Sequence, residues 1–182
     1  MRTMRPEGAM AKAVNFMLAQ AGWFACVEGA ARGRPWIGPL VAAAIVLRHL
    51  TAARERWNEL RLLAAAAIAG LIIDGGLKGS GVVAYAGDVL PAWWLAPPWI
   101  LALWVLFGTM LNGTLAWLQG RPGLAALVGA IFGPLSYLSG ARLGAASFLR
   151  SRALAIAVLA SVWAAVLPAL TGIASRSSGR VR

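Results

Sequence analysis

Four ionisable residues stand inside or against long apolar runs: Glu28, Asp74, Lys78 and Arg142. A charge within a lipid-spanning helix is costly, so each is a candidate functional site by default. Two carboxylates and two cations at one depth would form a buried network or coordinate a polar headgroup. They would also suit acid–base work on a lipid, because a carboxyl in an apolar setting can titrate far above its usual range and an arginine can hold a phosphate. Asp74 is the strongest of the four, since Gly75, Gly76, Gly79 and Gly81 nearby can open the helix around it. A structural account stands beside this one. Asp74 and Lys78 have the i,i+4 spacing of a helix-surface pair, Arg142 can reach lipid phosphates along its apolar stem, and Glu28 lies close to a helix end.

Other chemistry is poorly represented. One cysteine, Cys26, excludes an internal disulfide, and one histidine, His49, rules against a His/Cys zinc centre. No metal and no cofactor is expected. The chain contains no GxxxxGK[ST], HExxH or GxSxG pattern. Asn15, Gln20, Asn112 and Thr114 form a second polar set, which interhelical hydrogen bonds explain without further chemistry. The run RERWNELR at 54–61 suits a surface loop beside anionic lipid, with His49 next to it.

Composition identifies the solvent for these residues. Of 182 residues 60% are hydrophobic and 13% charged, and the mean hydropathy is +0.72. Soluble domains average about 45–50% apolar and about 25% charged. A core of this length cannot bury so much apolar surface, whereas lipid can cover it. The net charge of +11 raises the question of nucleic acid, but the basic residues occur in short clusters between apolar runs, as topology-setting charges do. No nucleic-acid partner is expected. A basic start and a first apolar run also fit a signal peptide, but Asn15, Gln20 and Glu28 favour a retained helix.

The apolar runs that must carry these residues lie at 13–30, 36–53, 60–77, 98–118, 124–148 and 153–173, against about 17–25 residues needed per span. The expected architecture is all-α: a polytopic bundle of six spans, with five as the alternative because 36–53 is the weakest. The whole chain, 1–182, forms one membrane domain, with cytoplasmic tails at 1–11 and 174–182. This arrangement puts eleven of the 17 basic residues on the cytoplasmic side with both termini, and leaves Arg32, Arg34, Lys78, Arg142, Arg150 and Arg152 outside. Trp57 and Trp117 then fall near the inner interface, and Trp36, Trp93, Trp94 and Trp99 near the outer one. Trp23, Trp104 and Trp163 lie deeper, as packing residues. The glycine- and proline-rich stretch 79–98 reads as a segment on, or dipping into, the outer leaflet.

In FGPLSYLSGARLG (132–144) helical spacing separates two faces. Gly129, Gly133, Ser136, Gly140 and Gly144 form a narrow small-residue stripe for close helix contact, and Arg142 projects from nearly the opposite side. Pro134 is expected to bend the helix and free the Ala130 carbonyl.

The segments NFMLAQAGWFACV (15–27), LIID (71–74), LNGTLAWL (111–118) and GPLSYLSGARLGA (133–145) together resemble a family of small polytopic bacterial inner-membrane proteins of unknown function. The resemblance covers about residues 12–170. It implies the bacterial plasma membrane and a genomic association with fatty-acid modification, and supplies no activity. Gly113 stands where that family often has a bulkier polar residue, which weighs against a catalytic role for Asn112. Two functions stay open: a lipid-related binding, transport or assembly component, and a membrane enzyme that modifies a lipid or fatty acid at an outer-leaflet acidic/basic site. Expected partners are membrane lipids and either a second copy or another membrane protein, since six helices without a visible internal repeat are few for a lone transporter.

Overall fold

The computed structural model describes residues 8–53, 55–89 and 92–177. Arg2, Arg5, Arg54, Arg180 and Arg182, and with them parts of both expected tails, lie outside the described residues.

Among the described residues there are six α-helices: α1 (Ala9–Ala31), α2 (Ile37–Ala52), α3 (Arg56–Gly79), α4 (Pro98–Met110), α5 (Pro122–Arg142) and α6 (Arg152–Ser177). Long runs of Ala, Leu, Val and Ile favour continuous helix, and Pro98 and Pro122 stand in first turns, where a missing N–H costs nothing. Three helices, α3, α5 and α6, are long and apolar enough to cross a membrane, whereas α2 and α4 are shorter apolar helices. Packing is mainly α5 on α6 and α3 on α4, with α1 and α2 against α4 and with α6 also touching α3.

Two of the expected spans are shorter than their apolar runs. The run 98–118 is helical only to Met110; turns and a 3-10 turn at Ala116–Leu118 follow. The Asn112–Gly113 pair favours a turn, and the Asn112 side chain donates to Glu59 Oε1 at 2.7 Å instead of facing lipid. The run 124–148 ends as helix at Arg142. There the Gly144 N–H bonds the Ala141 carbonyl and the Ala145 N–H the Gly140 carbonyl, with Gly144 at φ +85. This glycine-closed terminus requires the left-handed conformation that glycine adopts without strain. α3 closes in the same way at Gly81.

Both closures lead into a feature the apolar pattern did not announce. Strands β1 (Val83–Tyr85) and β2 (Ala146–Phe148) pair antiparallel, with Val83 opposite Phe148 and Tyr85 opposite Ala146. The exits of α3 and α5 are thereby tied together. At that end of the molecule Gly87 also packs on Pro35 of the α1–α2 turn. At the other end Thr114 Oγ1 donates to the Lys12 carbonyl at 3.0 Å and Asn58 Nδ2 to the Ser177 carbonyl at 3.1 Å. The start of α1 and the end of α6 therefore lie at the same end of the bundle.

Candidate functional site

Asp74 is fully buried. Its Oδ1 accepts from the Tyr85 hydroxyl at 2.5 Å and the Tyr137 hydroxyl at 2.6 Å, and its Oδ2 from the Trp104 indole N–H at 2.5 Å. The donors come from β1, α5 and α4, so one carboxyl joins four elements. Tyr85 reaches it because β1 leaves α3 through the Gly81 turn and runs back beside it. Burial first, and then the adjacent carboxyl, hold the Tyr85 phenol well above its ordinary range, which keeps it a donor.

The Trp104 ring stacks on Trp163 of α6, centroids 4.9 Å apart at 9°. Each indole lies against a glycine of a neighbouring helix. A Cβ on Gly70 would overlap the Trp104 ring, and one on Gly133 the Trp163 ring. A Cβ on Gly129 would strike the Trp163 carbonyl itself, so α5 and α6 approach closely there. The buried Trp163 N–H has no acceptor in ordinary geometry among the described residues, although the Tyr137 hydroxyl lies beside it.

The small-residue stripe therefore divides. Gly129 and Gly133 make a close contact with α6. Ser136 is exposed and accepts from the Trp23 N–H of α1 at 3.3 Å. A Cβ on Gly140 would meet nothing within 4 Å, and Gly144 is outside α5 in the turn. The expected seam stops short of Gly140, which has no neighbouring helix against it, and of Gly144, because the helix ends at Arg142.

The four ionisable candidates lie toward one end of the bundle but do not form one cluster. Glu28 pairs with Arg32 at 2.7 Å on the α1 surface. Lys78 pairs with Asp88 at 2.5 Å, not with Asp74, and also donates to the Ala92 and Leu95 carbonyls at 3.0 and 2.9 Å. Arg142 is exposed at the last residue of α5 and makes no ion pair among the described residues. Asp74 alone is sealed inside, and its partners Tyr85, Trp104 and Tyr137 were not tied to it by spacing. They lie 11, 30 and 63 residues away. A tyrosine or deep tryptophan that needs a buried acceptor was the available signal.

Two further arrangements surround this core. At the end shared by the start of α1 and the end of α6, His49 Nε2 lies 3.0 Å from Glu59 Oε2, and Gln119 Nε2 donates to Asn112 Oδ1 at 3.0 Å. Asn15 accepts from the Thr114 hydroxyl at 2.9 Å. These bonds join helix ends, as interhelical polar contacts do. On the outer face of α3, Leu71, Ile72, Gly75, Gly76 and Gly79 form the floor of a groove of about 430 Å³ under Trp93 and Trp94. Ile72 is 68% exposed and Trp93 72% exposed beside it. Among the described residues no group of three or more His, Cys, Asp or Glu side chains is placed to hold a metal.

A family model described as "Protein of unknown function (DUF2878)" matches residues 12–169. No curated protein and no solved structure matches significantly.

Proposed function

We propose, from the premise that this chain belongs to the DUF2878 family of proteins of unknown function, that it is a multi-pass protein of the bacterial inner membrane that binds a lipid tail. Support for the membrane setting comes from the three long apolar helices and from large apolar side chains left exposed along them, among them Ile68, Ile72, Leu127, Ile131, Leu135 and Leu154. Lipid covers such surface at no cost, whereas water does not. Exposed tryptophans mark the two ends: Trp57 and Trp117 at one, Trp36, Trp93 and Trp94 at the other. With α1, α2 and α4 completing the traverse as short or tilted segments, both termini face the cytoplasm, the side that receives most of the basic residues.

The observation that carries lipid binding is the groove on α3. Its walls are apolar side chains and glycine backbone, it opens on the face of a membrane-length helix, and its roof is aromatic. A slot of that kind in a bilayer fills with an acyl chain. The alternative of a lipid-modifying enzyme acting through Asp74 has less support, because that carboxyl is sealed from the groove and already bound by three donors. Glu28, Lys78 and Arg142 do not converge with it on a common space.

The test is lipid retention. Gly76 has open space where a Cβ would stand, so Gly76→Leu fills the groove without disturbing the bundle. Native mass spectrometry of the protein released from mild detergent should show a retained phospholipid on the wild type and its loss from the variant. Equal retention by both would reject the groove as the binding site.

A further inference from the structure

The helices α1, α3 and α5 all close in one way. Gly33, Gly81 and Gly144 stand just past their ends at φ +70, +67 and +85. The next N–H then bonds back five residues, Arg34 to Gly29, Val82 to Leu77 and Ala145 to Gly140, at 2.7, 3.0 and 2.9 Å. Eleven residues before each turn glycine stands another glycine, Gly22, Gly70 and Gly133, each buried. The following helix covers it each time. A Cβ on Gly22 would stand 3.1 Å from Ile45 of α2, and one on Gly70 or Gly133 would overlap the Trp104 ring of α4 or the Trp163 ring of α6. Ile45, Trp104 and Trp163 follow one another at 59-residue intervals. In the same frame Phe24, Ile72 and Leu135 coincide, and all three are exposed.

Between the last two hairpins the correspondence is reciprocal. β1 and β2 occupy the same place after their turn glycines, and Val83 faces Phe148 as Tyr85 faces Ala146, with Ala84 opposite Ser147 at the centre. A two-fold axis through that centre exchanges the strands. It also exchanges Trp104 with Trp163, which stack on each other, and Asp74 with Tyr137, which bond at 2.6 Å. Both members of this last pair stand seven residues before their turn glycines. Equivalent residues touch in this way where they lie beside a two-fold axis. One departure from the symmetry accounts for an orphan. The Trp104 N–H donates to Asp74, whereas its counterpart on Trp163 faces a phenol where a carboxylate would stand.

We propose that α3–β1–α4 and α5–β2–α6 are two copies of one unit, mated about a two-fold axis at Asp74 and Tyr137, with the carboxyl supplied by one copy only. The inference goes beyond the lipid-tail reading and does not depend on it. Because β1 and β2 tie the exits of α3 and α5 at one end, the copies run in the same direction and the axis lies along the helices. Parallel repeats about such an axis are a build found among membrane transporters.

The experiment exchanges the two residues in the full chain and reads the midpoint of thermal unfolding in mild detergent. Asp74→Tyr and Tyr137→Asp alone each put two like groups at the joint, and each should lower the midpoint. Combined, they restore one carboxyl and one phenol on opposite copies and give the Trp163 N–H the acceptor it lacks. The double variant should regain most of the loss, a non-additivity expected only of residues in one network. Adding Tyr85→Phe and Phe148→Tyr moves a further donor across the axis and should raise the midpoint again. A double variant no more stable than the worse single one overturns the joint. Should these chains fail to fold, spin labels decide between the outcomes in a Cys26→Ala background with the joint intact. The pairs Ile72 with Ile131 and Ile68 with Leu135 occupy exposed positions that the axis interchanges. They should give the same distance by pulsed electron paramagnetic resonance, and a difference above one helical turn, about 5.4 Å, overturns the two-fold repeat.

Discussion

Asp74 gathers three neutral donors from three elements, and no ion pair to it is found among the described residues; Lys78, one turn away, is committed elsewhere. The carboxyl is therefore an acceptor hub that satisfies two tyrosine hydroxyls and an indole deep in an apolar bundle, where an unpaired polar group is expensive. Asp74→Asn keeps the shape but turns one acceptor into a donor that must face another donor. The expected loss is about 1–3 kcal/mol, the cost of a buried polar group left unmatched, read as a lower midpoint of thermal unfolding in detergent. Lipid retention in the groove should persist at temperatures where this variant is folded. A midpoint equal to wild type would show that the hub does not hold the four elements.

Among the helices, the α5 glycines separate packing from mere small size. Gly133 lies against the Trp163 ring, so Gly133→Ala forces the stacked indoles apart and should destabilise by about 1–3 kcal/mol, as overpacking does. Gly140→Ala enters open space and should be neutral or gain up to about 1 kcal/mol from helix propensity. Thermal unfolding of the two variants side by side checks this, and equal loss at both positions would contradict the packing described. The strands matter at the same scale. By joining the exits of α3 and α5, β1 and β2 bring Tyr85 to Asp74.

For the whole molecule, the start of α1 and the end of α6 share one end, through Thr114 on Lys12 and Asn58 on Ser177. With the proposed cytoplasmic orientation of that end, a carboxy-terminal fluorescent fusion that matures only in the cytoplasm should glow, and so should an amino-terminal one. A dark but stably inserted carboxy-terminal fusion beside a glowing amino-terminal one would require an odd number of crossings. The other end holds the exposed Trp36, Trp93 and Trp94, the groove and Arg142. In the proposed orientation this end faces the outer leaflet.

Composition and hydropathy determined that this chain is helical and apolar enough for a membrane, because burying or covering that much hydrocarbon admits few alternatives. They also marked Asp74 as the unusual charge, Trp104 and Trp163 as deep packing residues, and 79–98 as a break between helices. Helix ends were less legible. Asn112–Gly113 and Gly144 lie inside runs whose average hydropathy is high, and a single turn-forming residue is invisible to an average. Only the tertiary structure decided the partnerships: Asp74 with two tyrosines and an indole, Lys78 with Asp88 and the roof carbonyls, Gly133 with the Trp163 ring. A hydrogen bond or a ring contact depends on where two distant backbones cross. Periodicity along one helix reports which face is apolar, and does not say what stands opposite.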